Sequence, residues 1–228
     1  MKDKIVLVTG ANGGLGTSVT QAFLDGGATV VGTSPKIDQS AFPHKNFIAI
    51  QGQISSLQTA KALMDQVASR FGRLDVLAHT VGGFAGGQSI ADTDDATFQG
   101  MLDINLIVTF HVLRAALPLL RKSGNGRIVG IGSRAAVDPG AKVGAYSASK
   151  AAMVSLFRTV AEENKDAGMT ANVILPGTMD TPANRRAMPD ADFSKWVQPS
   201  NVAALLTFLA GDAAKDINGA VIPIFGSA

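Results

Sequence analysis

The chain has no cysteine and only three histidines, His44, His79 and His111, scattered along its 228 residues. The first absence excludes a disulfide framework, a thiolate metal site and cysteine catalysis. The second argues against a zinc site built from imidazoles. No metal ligand set is therefore assigned. Charge is also sparse: 20 Lys and Arg stand against 18 Asp and Glu, a formal net charge of +2, and there is no basic run. Nucleic acid is not the expected partner. Met1-Lys2-Asp3-Lys4 leads into a short apolar run that stops at Gly10, too short for a signal peptide or a membrane span. A soluble, cytoplasmic protein with no membrane partner is expected.

What is present is apolar residue, 46 % of the chain, enough for a large core without covalent staples. Residues 5–8, 28–33, 47–50, 74–78, 127–132, 169–175 and 220–224 read as short strands. Between them fall stretches of helical spacing at 17–25, 55–71, 144–167 and 199–210. Thr93 is the expected cap of a further long helix running to about Lys122. Strands that alternate with helices of ten or more residues predict a doubly wound parallel sheet of about seven strands, covered on both faces. No linker or repeat divides the chain, so residues 1–228 are expected to form a single domain. Residues 176–198 are too long for an ordinary connection and are expected to form a substrate lid.

Gly10, Gly14 and Gly16 stand between the first strand and the first helix, in Thr9-Gly10-Ala11-Asn12-Gly13-Gly14-Leu15-Gly16. Glycine permits a tight turn and lets backbone N–H groups approach a phosphate, and the helix N-terminus adds partial positive charge. This predicts nucleotide binding, with Gly10, Asn12, Gly13, Gly14, Leu15 and Gly16 in contact. An acid about 20 residues beyond such a turn would bind a ribose 2′-hydroxyl. The corresponding stretch, Thr33-Ser34-Pro35-Lys36, has none. Ser34 and Lys36 suit a 2′-phosphate instead, so NADP(H) is preferred over NAD(H).

A second cluster is Tyr146-Ser147-Ala148-Ser149-Lys150. On a helix Tyr146 and Lys150 share a face, about 5–6 Å apart at Cβ. A cation beside a phenol favours the phenolate, so the tyrosine pKa is expected to fall below its usual value of about 10. Ser133 lies upstream and Asn105 further back.

Taken together, Thr9-Gly10-x-x-x-Gly14-x-Gly16, Asn105, Ser133, Tyr146-x-x-x-Lys150 and Pro176-Gly177 resemble the short-chain dehydrogenases/reductases over essentially the whole chain. The resemblance implies a single-domain α/β Rossmann fold and NAD(P)-dependent interconversion of a small-molecule carbonyl and alcohol. It implies Tyr146 as general acid and base, and Lys150 as the residue that binds the nicotinamide ribose and lowers the tyrosine pKa. It implies Ser133 as hydrogen-bond partner of the substrate oxygen and Asn105 as support for a proton-relay water. Pro176, Gly177 and Thr178 should cover the nicotinamide. Two places depart from the family pattern. His79-Thr80-Val81-Gly82 stands where Asn-Asn-Ala-Gly is common, and Gln53-Ile54 where an acid often meets adenine. Gln53, Ile54, Thr80, Val81 and Gly82 are nonetheless expected at the cofactor, and His79 in a structural role.

Two loops, Gly82–Gly87 and the 176–198 segment, are similar to parts of quinonoid dihydropteridine reductases, with Phe84 and Trp196 offering flat apolar surface. Dihydropteridine reduction, 3-oxoacyl-thioester reduction with Arg185, Arg186 and Lys195 as a docking patch, and a catalytically silent dinucleotide-binding sensor or scaffold are the alternatives. Residues 94–122 and 144–167 carry apolar residues on more than one face, among them Leu106, Val108, Phe110, Leu113 and Leu117, then Met153, Leu156 and Phe157. A homo-oligomer, dimer or tetramer, through these helices is expected.

Overall fold

All five residues of β1 (Ile5–Thr9) are buried. Ile5 and Leu7 enter one core while Val6 and Val8 enter another, as period-two geometry requires of a strand covered on both faces. The computed structural model describes residues 1–227. Six further strands follow: β2 (Thr29–Ser34), β3 (Phe47–Gln51), β4 (Val76–His79), β5 (Arg127–Ile131), β6 (Thr170–Pro176) and β7 (Val221–Ile224). They form one parallel sheet in the order β3-β2-β1-β4-β5-β6-β7. The winding reverses between β1 and β4. In open α/β sheets the crevice beyond the strand ends at such a point is where ligands bind.

Helices α1 (Gly16–Asp25) and α7 (Pro199–Leu209) cover one face, through Val19, Phe23, Val202 and Leu206. Helices α2 (Leu57–Phe71), α4 (Val108–Lys122) and α5 (Gly144–Asn164) cover the other, through Leu63, Val112, Leu113 and Phe157. Each fully buried side chain of this size contributes about 1.5–3 kcal/mol. The two remaining helices are α3 (Asp95–Leu102) and α6 (Pro182–Ala187). Local sequence sets the ends of α2. Ser56 and Thr59 form a reciprocal capping box, and Gly72 closes the helix at φ 72°.

The long helix expected from Thr93 to about Lys122 runs continuously from Asp95 to Lys122, as α3 and α4 joined by a π turn. The Thr93 hydroxyl donates back to the Ser89 carbonyl at 2.7 Å and closes the preceding turn. Asp94 caps α3 instead, accepting from the Thr97 N–H at 2.6 Å. Between α3 and α4 the backbone widens into a π-helical turn over Asp103–Ile107. Such a bulge carries one extra residue per turn and turns side chains off the regular helix face. Asn105 lies in it. The helix expected over 144–167 keeps α geometry to Asn164 and ends in a 3₁₀ turn, Lys165–Ala167.

Candidate active site

The glycine turn fills the crevice at the reversal. Gly10, at φ +73°, donates to the Thr33 carbonyl at 2.8 Å, and Gly13 folds back onto the Gly10 carbonyl at 2.9 Å. α1 begins at Gly16, so near Gly10 that a Cβ on Gly16 would lie 1.9 Å from the Gly10 carbonyl oxygen. No side chain caps this helix end. The Thr17 N–H of its first turn donates to the Gly13 carbonyl at 3.0 Å, and the positive end of the helix dipole at this end favours an anion. Asn12 joins the turn to the end of β2. Its amide donates to the Lys36 carbonyl at 3.0 Å and accepts from the Ser34 hydroxyl at 2.5 Å. Thr80 closes the other side, donating to the Thr9 carbonyl at 2.7 Å.

From this turn one cleft of about 1280 Å³ runs to the start of α5. At that end Tyr146 is partly buried and hydrogen-bonded to the Ser133 side chain. Burial holds its pKa above the ordinary 10.0, and the Ser133 bond opposes the rise. The expected direction was the reverse. The reason is where Lys150 points: its ammonium donates to the Ile131 carbonyl at 2.9 Å. Lys150 is itself buried, and burial lowers its pKa to about 8.

A directed chain of hydrogen bonds lies beneath. The Thr109 hydroxyl donates to the Asn105 carbonyl at 2.7 Å, so it must accept from His79 Nε2 at 2.9 Å. His79 is therefore the Nε2–H tautomer, and its Nδ1 accepts from the Thr9 hydroxyl at 2.9 Å. Burial first, then the Lys150 charge, push the His79 pKa down to about 3 and keep the ring neutral. The expected structural role of His79 is the one seen. The Asn105 side chain grips both the N–H and the carbonyl of Gly83, at 3.0 and 3.1 Å, and reaches Ser149 at 3.1 Å. Ser149 in turn donates to the Tyr146 carbonyl at 2.7 Å. The asparagine thus ties the Gly82–Gly87 loop to the helix that carries Tyr146.

Most residues singled out from the sequence line the cleft. Gly10, Asn12, Gly13, Gly14, Leu15, Gly16 and Ser34 form one end, with Gln53 and Ile54 beside them. Thr80, Val81 and Gly82 follow β4; Ser133, Tyr146 and Lys150 stand at the other end, with Pro176, Gly177 and Thr178 along the wall. Two do not line it. Lys36 is exposed beyond the rim, its backbone held by Asn12. Asn105 lies behind the wall, fully buried.

The 176–198 segment is a folded insertion whose ends pair at Met179 and Val197. Thr181 caps α6 and packs on the glycine turn: a Cβ on Gly14 would be 3.0 Å from its methyl group. Met179, Ala183 and Met188 line the cleft. Trp196 does not. It is buried against Phe193, with ring centroids 4.7 Å apart, so it packs the insertion rather than facing a substrate. Two of the three basic residues of the alternative docking patch are engaged locally. Arg185 holds Asp180 through two bonds at 2.5 and 2.8 Å, and Lys195 lies 3.9 Å from Asp192. Sequence reasoning missed Ile104, Ser149, Thr109 and the contact of Thr181 with Gly14. Only Thr181 carried a local signal, a hydroxyl directly before a proline at a helix start.

A dinucleotide fits these residues. The glycines let the turn pack tightly and leave its backbone bare along the cleft, and the uncapped helix end faces the same cleft as the tyrosine and lysine. Comparisons with known proteins agree. The family model described as short chain dehydrogenase matches residues 4–192. Asnovolin H dehydrogenase of Aspergillus novofumigatus is 28 % identical over 249 residues, covering 98 % of this chain and 96 % of that protein. Nodulation protein G of Azospirillum brasilense is 29 % identical over 243 residues, covering 99 % and 98 %. The solved structure of ElxO with NADP bound superposes at a TM-score of 0.92 with 26 % identity, covering 99 % of this chain and 98 % of that one. The chain belongs to the short-chain dehydrogenase family of oxidoreductases, which use a nicotinamide cofactor.

Proposed function

We propose that the protein is an NADP(H)-dependent oxidoreductase that interconverts a carbonyl and its secondary alcohol, with Tyr146 as general acid in reduction and general base in oxidation. The observation that carries this reading is Tyr146, bonded to Ser133, in the same cleft as the glycine turn and the buried Lys150. Bound nicotinamide supplies the hydride for reduction and takes it in oxidation. The chain supplies the proton. With its pKa raised by burial, Tyr146 is neutral near pH 7, the form an acid catalyst needs. As charge gathers on the carbonyl oxygen, the Tyr146 hydroxyl gives up its proton and the Ser133 hydroxyl holds the same oxygen. The buried Lys150 ammonium, held by the Ile131 carbonyl, is placed in the same cleft to hold the nicotinamide ribose.

The preference for NADP(H) rests on the end of β2, where Ser34 rather than an acid faces the cleft and Lys36 is exposed just beyond the rim. A carboxylate there would repel a 2′-phosphate; a hydroxyl and a nearby cation accept one. The test is titration with NADPH and NADH separately, followed by nicotinamide fluorescence, and then a carbonyl panel. Tighter NADPH binding, with the order reversed in Ser34→Asp, is the expected result. NADH binding more tightly to the unaltered protein would contradict it. Self-association through α4 and α5 belongs to the same reading. Phe110 is exposed and Leu106 half-buried outside the core, and both suit a partner helix; Leu117 and Leu156 pack partly buried against the core, and Val108, Leu113, Met153 and Phe157 are core residues. Sedimentation of the purified protein as a single-chain species would count against it.

A further inference from the structure

We propose that the substrate end of the cleft takes an uncharged, ring-bearing ketone, with Phe84 as the surface on which the ring lies. The inference rests on the reading of Tyr146 as proton donor. Phe84 is 66 % exposed, the more exposed of the two aromatic rings at this end. Large apolar side chains are common on surfaces, but this one is held in place. Its ring meets the Tyr146 ring edge-on, with centroids 5.0 Å apart and planes at 75°. Its tip also occupies space that only a glycine at position 86 leaves open: a Cβ there would lie 2.9 Å from Phe84 Cζ. A glycine loop therefore fixes an exposed aromatic ring against the proposed proton donor. Its uncovered face is a ready platform for a second ring, because aromatic pairs gain from edge or offset contact beyond the area they bury.

The rest of this end is apolar or already paired. Ile104 packs against Gly83 beside Phe84, and Met179 and Met188 line the same cleft, Met188 41 % exposed. Among the described residues that line the cleft, each charged side chain has a partner. Lys150 is directed at the Ile131 carbonyl. Arg134 holds the Asp138 carboxylate at 2.9 Å and lies over the Phe225 ring, 5.3 Å from its centroid. A carboxylate or phosphate on the substrate would meet the Asp138 carboxylate beside Arg134, and a Lys150 ammonium already directed at the Ile131 carbonyl. A neutral ring needs only the uncovered face of Phe84 and the apolar wall.

The test compares 1-tetralone, 2-octanone and benzoylformate as substrates with NADPH, in the unaltered protein and in Phe84→Ala and Phe84→Leu. Ligand-observed saturation-transfer NMR of 1-tetralone on the same proteins gives a readout that does not require turnover. 1-Tetralone should have the highest kcat/KM, and its advantage over 2-octanone should fall about tenfold in Phe84→Ala, mainly through KM. The saturation-transfer signal of its aromatic protons should weaken in parallel, with Phe84→Leu between the two. A preference for benzoylformate, or an equal loss for ring and chain ketones in Phe84→Ala, would overturn the inference. If the protein reduces none of the three, a saturation-transfer signal that still disappears in Phe84→Ala would count against the redox reading and leave the ring platform standing.

Discussion

The two ends of the cleft are made of different material. At the glycine turn the binding surface is mostly backbone. Gly10, Gly13 and Gly16 contribute carbonyls and N–H groups, and the shape depends on side chains being absent. At the tyrosine end the surface is side chain. Ser133, Tyr146, Lys150 and Phe84 contribute a hydroxyl, a phenol, an ammonium and a ring, each held by a neighbour. A backbone site binds a common ligand part such as a phosphate and tolerates little change. A side-chain site sets the chemistry and the choice of substrate. The chain has a single tyrosine, Tyr146, and that makes the second end open to direct spectroscopic test.

This contrast gives predictions of decreasing size. The largest separates the ends outright. Tyr146→Phe should lower carbonyl reduction by about 10²–10⁴-fold, the usual contribution of a positioned acid, while NADPH affinity stays within about twofold. Steady-state rates and fluorescence titration on the one variant check both halves, and a parallel loss of affinity would show that the ends are not separable. Gly16→Ala should do the opposite. Its Cβ would fall 1.9 Å from the Gly10 carbonyl oxygen. NADPH binding should weaken on the order of a hundredfold by the overpacking cost, in a protein that still unfolds cooperatively.

A smaller effect is expected between the ends. His79→Ala leaves the Thr9 and Thr109 hydroxyls facing a cavity. Stability should fall by about 2–4 kcal/mol, read as a drop in Tm. A further pair of effects is in pH dependence. The folded His79 pKa is about 3 against an ordinary 6.5, so between these values the unfolded chain binds the extra proton. Its contribution to stability is present above pH 6.5 and is lost as pH falls toward 3; His79→Asn should flatten that limb. For Lys150 the folded value is about 8 against 10.5. Stability should therefore rise as pH goes from 8 to 10.5, and Lys150→Met should remove the rise. Denaturant titrations across pH check both.

How far the sequence could be read follows the same division. The alternating strands, the glycine turn and the Tyr146–Lys150 spacing are local patterns, and the structure has them nearly where they were expected. The start of the helix after Thr93 was not legible, because Thr93 and Asp94 are both acceptable caps. The choice was made by a bond from Thr93 back to Ser89. Nor was the π turn, whose effect is to bring Asn105 to the backbone of Gly83. The direction of the Tyr146 pKa shift escapes the sequence for a similar reason. Spacing puts Lys150 on the same helix face, but the Ile131 carbonyl across the cleft decides where its ammonium goes. Trp196 and Phe84 look alike in the sequence, and tertiary packing buried one and left the other exposed.

The central claim is that a neutral tyrosine, kept protonated by burial, waits at the substrate end. Because Tyr146 is the sole tyrosine, an ultraviolet titration of tyrosinate absorbance in the free, folded protein reads its pKa without interference. The account predicts a value above the ordinary 10.0, and a fall in reduction rate as pH rises through the titration seen in the working complex. A free-protein value well below 10 would mean that Lys150 rather than burial governs the phenol, and would contradict the account.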